Sequence, residues 1–128
     1  MVIRRSNKVI TNIGTVAIYV NDQRKAKKFW TEKVGFVVVA EQPMGTNSFW
    51  LEVAPENAKS RLVIYPKEMM QGYENFKASI VFECDNIFGT YQTLKENGVT
   101  FKSEPQEMQW GTFVQFCDEE GNEFLLKG

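Results

Sequence analysis

One pattern of strand, cap pair, helix and glycine stop occurs twice in this 128-residue chain, and it constrains the fold more than any single motif. Residues 12–20 are rich in β-branched side chains and read as a strand. Asn21-Asp22 follows as a helix cap, and a helix runs to about Val34 with Ala26, Phe29, Trp30 and Val34 on one face; Gly35 ends it. Strands are expected at 36–40, 48–53 and 61–65, with a loop at 42–47 marked by its Pro, Gly and Asn. The order β-α-β-β-β then begins again. Residues 78–84 form a strand, Asp85-Asn86 the cap, and 87–97 a helix with Ile87, Tyr91 and Leu94 inward, ended by Gly98. A strand at 99–102, a loop at 103–108 and a closing hairpin follow, the hairpin turning on Gly121-Asn122, two residues that tolerate positive φ. Val20-Asn21-Asp22 matches Cys84-Asp85-Asn86, and Trp30-Thr31-Glu32-Lys33-Val34-Gly35 echoes Leu94-Lys95-Glu96-Asn97-Gly98. A period this long means two copies of one supersecondary unit rather than a solenoid.

The expected organisation is one domain over 12–128, made of a first module (12–65), a connector (66–77) and a second module (78–128). Residues 1–11 are expected to be a tail or an extra edge strand. Fifteen basic and sixteen acidic residues leave a net charge of -1, so nothing electrostatic points to nucleic acid or an anionic membrane. No apolar run approaches the roughly 18 residues of a membrane span, and the basic N-terminus lacks the apolar stretch of a secretory signal. Cys84 and Cys117 sit in apolar strands and are expected to be buried free thiols of a cytoplasmic protein. The chain has no histidine. That removes the commonest general base, the commonest neutral metal ligand and any His-activated nucleophile.

Period-two alternation divides each strand into two faces. Val16, Ile18 and Val20 form an unbroken apolar set for the helix side, leaving Thr15, Ala17 and Tyr19 opposite. Ile80, Phe82 and Cys84 pack under the second helix, with Ser79, Val81 and Glu83 opposite. In the hairpin Val114, Phe116, Phe124 and Leu126 face the helix, and Phe113, Gln115, Glu123, Leu125 and Lys127 face away. By the repeat, Trp50, Glu52, Arg61, Val63 and Tyr65 share that second face in the first module. Register carries the whole assignment, because a one-residue slip exchanges the two sets.

Ala17-Ile18-Tyr19-Val20-Asn21-Asp22, Phe29-Trp30-Thr31-Glu32-Lys33-Val34-Gly35-Phe36, Leu94-Lys95-Glu96-Asn97-Gly98-Val99, and Trp110-Gly111 with Asp118-Glu119-Glu120-Gly121-Asn122, in this order, resemble the vicinal-oxygen-chelate superfamily of glyoxalase I, bleomycin-resistance proteins and extradiol dioxygenases. The resemblance spans about residues 12–127. It implies an α+β fold in which two βαβββ modules form an open, cup-shaped eight-stranded sheet with helices on the convex face. A ferredoxin-like sandwich is the structural rival, with fewer strands between helices. In metal-using relatives the ligands come from the first and last strands of each module, and the matching positions here are Thr15, Val63, Ser79 and Leu125. None is His, Glu or Gln, and two isolated hydroxyls do not hold a divalent cation. Glu52, Glu83 and Glu123 are read as solvated rim charges rather than a displaced site.

The resemblance implies a small-molecule binder without metal or other cofactor, similar to the bleomycin-resistance branch. Its pocket would be lined by Thr15, Ala17, Tyr19, Trp50, Glu52, Arg61, Val63, Tyr65, Ser79, Val81, Trp110, Phe113, Gln115 and Leu125, an apolar lining with sparse polar anchors. The expected ligand is aromatic or partly apolar, and a homodimer is expected because open cups leave sheet edges uncovered. Two alternatives stand beside this reading. One is a glyoxalase-like or dioxygenase-type enzyme using a displaced metal or a Glu or Tyr acid-base group. The other is a dimeric interaction module with a filled cup.

Overall fold

In each half of the molecule, a single polar side chain sets where the helix begins. The structure, a computed structural model, describes residues 13–69, 79–109 and 111–128. Asp22 is extended and its carboxylate accepts from the Lys25 N–H, opening α1 (Gln23–Lys28); Asn86 does the same with Gly89, opening α2 (Ile87–Glu96). Gly35 (φ 93) and Gly98 (φ 95) follow the helices in the left-handed region, where a side chain would be strained. The first helix does not stay α-helical to Val34 as expected. Phe29–Lys33 widens into a π turn closed by Val34 N–H donating to the Phe29 carbonyl at 3.1 Å.

The strands divide between two sheets. The first runs β1 (Thr15–Val20), β4 (Arg61–Pro66), β3 (Ser48–Ala54), β2 (Val37–Met44), with β1 and β4 parallel. The second runs β5 (Val81–Glu83), β9 (Glu123–Lys127), β8 (Gly111–Cys117), β6 (Thr100–Phe101), with β5 and β9 parallel and β7 (Gln106–Met108) also on β8. Both sheets have the same order, which is the repeat made physical. The α+β architecture of two strand-helix modules is the expected one, with two differences. A ninth strand, β7, lies in what reads locally as a loop, because pairing with β8 outweighs the weak strand propensity of Gln106-Glu107. β2 also runs through Pro43 to Met44; as an edge strand it can hold a residue that donates no ladder bond. The connector and the N-terminal tail lie largely outside the described residues.

One core joins the modules. Ile18, Val20, Leu51, Val53, Leu62 and Ile64 face it from the first sheet, and Val114, Phe116, Phe124 and Leu126 from the second. Trp30 is at its centre, fully buried, with ring centroids of Phe29, Phe36, Phe82, Phe116 and Phe124 between 5.1 and 6.3 Å away. The expected helix-side faces are therefore the observed ones. Cys84 and Cys117 are free as expected but only partly buried: Cys84 packs at the core's margin and Cys117 ends β8 beside the exposed hairpin turn.

The closing turn ties the modules together. Its Glu120 carboxylate accepts from the N–H groups of Asn21 (2.7 and 3.0 Å) and Asp22 (3.0 Å), at the start of α1. Within the turn only Gly121 takes a positive φ. Asn122 serves differently from expectation: its side chain donates to Asp118 Oδ2 at 2.8 Å, while the Glu120 and Asn122 N–H groups donate to Asp118 Oδ1. Asp118 is buried, and burial pushes its carboxyl above the usual aspartate range against the opposing pull of those hydrogen bonds.

Candidate functional site

The face of the first sheet that points away from the core carries most of the expected site residues. Parallel pairing sets Tyr19 beside Tyr65 and Ala17 beside Val63, and antiparallel pairing sets Glu52 beside Val63. The Tyr19 and Tyr65 rings meet edge to face at 6.3 Å, as do those of Tyr65 and Trp50 at 6.3 Å, so the three form a row across β1, β4 and β3. Each is half-buried.

Glu52 departs from its expected role as a solvated rim charge. It is 8% exposed, its Oε2 accepts from Trp50 Nε1 at 2.6 Å, and its Oε1 faces Arg61 Nη1 at 3.4 Å. Trp50 and Glu52 are two apart on one strand, so they share a face, and β4 brings Arg61 alongside. A carboxylate so placed fixes the plane of the indole. The pair with Arg61 is half open to water, which limits its energetic weight.

The other expected residues sit on the second sheet. Phe113, Gln115 and Leu125 share its outward face; Gln115 is opposite Leu125 in register, and Leu125 is beside Val81. Val81 and Leu125 are 49% and 38% exposed. The Gln115 amide and the Lys102 ammonium (2.6 Å) both donate to Glu123 Oε2, and that bond holds Lys102 above the usual lysine range. Burial raises the neighbouring Cys117 thiol, partly offset by Lys102. The structure thus groups the expected site into two faces on separate sheets, rather than one continuous wall. Trp110 lies outside the described residues.

Thr15, Val63, Ser79 and Leu125 do not fit a divalent cation. Thr15 and Ser79 are exposed hydroxyls, Val63 is a buried aliphatic beside Ala17, and Leu125 lies beside Val81. No three of His, Cys, Asp and Glu converge as a metal cluster among the described residues. A separate cavity of about 570 Å³ opens on the core side between the sheets, and of the expected site residues only Arg61 and Val81 border it.

Gln23 was not legible as a site-shaping residue. It is buried, its Nε2 donates to the carbonyls of Phe49 (2.7 Å) and Ile64 (2.8 Å), and its Oε1 accepts from the Phe49 N–H at 3.2 Å. The side chain bridges β3 and β4 where their ladder stops, at Phe49 and Ile64, the chain neighbours of Trp50 and Tyr65. Its one sequence signal was its place three residues before Ala26, a polar residue on the apolar helix face.

The sequence profile of the Glyoxalase/Bleomycin resistance protein/Dioxygenase superfamily matches residues 12–126. The uncharacterized protein YetH of Bacillus subtilis (strain 168) is 66% identical over 119 residues, covering 93% of this chain and 99% of that one. A superfamily member from Sphaerobacter thermophilus DSM 20745 superposes with a TM-score of 0.84 at 28% identity, over 92% of this chain and 97% of its own. TnmS3, an antibiotic binding protein from Streptomyces sp. CB03234, gives 0.79 at 31% identity, over 94% and 98%. With the profile spanning nearly the whole chain and the paired sheets matching these folds, the chain belongs to the glyoxalase/bleomycin resistance protein/dioxygenase superfamily.

Proposed function

We propose that this protein binds a planar, partly apolar aromatic compound on the Tyr19–Tyr65–Trp50 face, without a metal ion and without catalysing a reaction on it. The observation that carries the reading is the buried Glu52 carboxylate beneath that row, which holds the Trp50 indole in one orientation through a 2.6 Å bond. A ring fixed before the ligand arrives loses little freedom on binding, and its face offers stacking area. Glu52 and Arg61 offset each other's charge, so the face favours apolar surface with a few polar groups over a strongly charged ligand. The mismatch of Thr15, Val63, Ser79 and Leu125 to a metal supports binding without one. The likeness to TnmS3, an antibiotic binding protein, supports small-molecule binding.

The active form is a homodimer. Val81 and Leu125 are exposed neighbours on the second sheet, and a two-fold pairing would set the Phe113–Leu125 face of one copy against the aromatic row of the other. Residues 12–128 act as one domain, and the two free thiols suit a reducing, cytoplasmic setting.

A thermal-shift panel of neutral and cationic polycyclic aromatic compounds, run on the parent and on Trp50→Ala, tests the reading. Compounds that stabilise the parent should lose that effect in the variant. Half-buried Trp50 should cost well under the roughly 3–5 kcal/mol of a core Trp→Ala change. Equal stabilisation of parent and variant, or a full core-sized loss with no ligand for either, refutes it.

A further inference from the structure

We propose that the cavity between the two sheets is a second binding site, for a small uncharged apolar molecule. It lies on the opposite side of the first sheet from the Trp50 face and stands independently of the function proposed for that face. Among the described residues β1 and β5 are the terminal strands of their sheets, so each ends its own ladder. Between these edges lies a cavity of about 570 Å³, walled by Val16 and Leu62 from one sheet and Phe82 and Leu126 from the other. That volume is inside the range of roughly 300–1,000 Å³ found for small-molecule pockets, and several times the ~150 Å³ of an apolar cavity that takes up benzene.

The rim chooses the charge of the ligand. Arg61 and Glu83 both border the cavity and both are exposed. Arg61 is held by Glu52 on the outward face, so a carboxylate entering the cavity finds no free counter-charge among the described lining residues, and burying any charge between apolar walls costs its hydration. An uncharged molecule meets only the apolar walls, which are most of the lining.

Cys84 provides the reporter, because it lines this cavity and Cys117 does not. The unaltered protein is alkylated with iodoacetamide, with and without 2-naphthol at ten times its dissociation constant, and each thiol is followed by mass spectrometry. About one site in eleven is then free, so modification of Cys84 should slow by about tenfold while Cys117 keeps its rate. Val16→Phe, which fills the cavity from a half-buried strand position, should abolish the protection, and Trp50→Ala should keep it. Should Val16→Phe not fold, the comparison of the two thiols in the parent decides alone. Unchanged labelling of Cys84, equal slowing of both thiols, or loss of protection in Trp50→Ala overturns the proposal. Equal protection by 2-naphthoate or 2-naphthylmethylammonium overturns the choice of an uncharged ligand.

Discussion

Removing the amide of Gln23 should cost more than any substitution on the outward sheet faces. Three buried or half-buried backbone groups depend on it: the Phe49 N–H, the Phe49 carbonyl and the Ile64 carbonyl. Zipping the strands further would not repair the whole loss, because the Phe49 carbonyl would stay without a donor. Continuing the register of Glu52 with Val63 and Val53 with Leu62 would set Phe49 against Pro66, which has no N–H to give. An unsatisfied buried group costs about 1–3 kcal/mol, with carbonyls toward the lower end, so Gln23→Leu should lose about 3 kcal/mol while keeping most of the packing volume. With a urea slope of about 1–3 kcal/mol/M for a small protein, the midpoint should fall by roughly 1–3 M. Gln23→Glu sharpens the test. Its carboxylate would be buried against two carbonyl oxygens, raising its folded pKa above the unfolded value near 4.3. The penalty is then present above the folded pKa and relieved as pH falls through it, so this variant should gain stability relative to the parent on acidification. Urea melts followed by circular dichroism between pH 7 and pH 4.5 read both effects. A loss under about 1 kcal/mol for Gln23→Leu, or parallel pH profiles for Gln23→Glu and the parent, would refute the reasoning.

Glu120→Ala should cost about 1 kcal/mol, since it strips charge-assisted bonds from Asn21 and Asp22, the two residues before α1, at an exposed site, and the loss should shrink in high salt; an unchanged urea midpoint contradicts this. Asp118 should titrate by carbonyl-carbon NMR above the ~3.9 of a free aspartate. Because its folded pKa is raised, it adds stability as pH falls through that value, opposite to a salt-bridged carboxylate; a midpoint below the free value reverses the sign. Elemental analysis of the purified protein should find no stoichiometric Zn²⁺, Ni²⁺, Mn²⁺ or Fe²⁺, and about one metal per chain, lost on chelation, would contradict the donor argument. Light scattering at high micromolar concentration should give the dimer mass, and a monomer mass would remove the two-copy arrangement of the faces.

The element order and both sheet faces were legible because they rest on short-range periodicity. Ile18 and Val20 point inward and Tyr19 outward; Leu51 and Val53 inward, Trp50 and Glu52 outward; Val114 and Phe116 inward, Gln115 outward. A period of two needs only the strand itself. What was not legible depends on partners far along the chain. Glu120 reads as one acid in a turn until Asn21 and Asp22 arrive from 99 and 98 positions away. Glu52 reads as a rim charge until β4 delivers Arg61 and the Trp50 indole closes over it. The cavity is the space left where two sheets end, and no residue pattern encodes a space. β7 forms only because β8 is there to pair with it.

The two modules repeat one plan, and the point where they part shows why the aromatic face belongs to the first. Counting from the helix caps, Asp22 corresponds to Asn86, so Gln23 corresponds to Ile87. Ile87 is an ordinary core residue, and the β8–β9 hairpin beside it is paired without interruption from Phe113 with Lys127 to Cys117 with Glu123. In the first module the equivalent strands pair only at Glu52 with Val63 and Val53 with Leu62, and the Gln23 amide takes over the ladder's work beyond them. A side chain inserted between strands holds them apart, and Trp50 and Tyr65 stand over that opening on the other face with ring centroids 6.3 Å apart. Zipping the strands would change the spacing of the two rings. Gln23 therefore acts on the candidate binding face from the opposite side of the sheet, and Gln23→Leu should weaken aromatic ligands as well as the fold. Binding by Gln23→Leu at the parent's affinity, measured where the variant is fully folded, would separate the strand opening from the face above it.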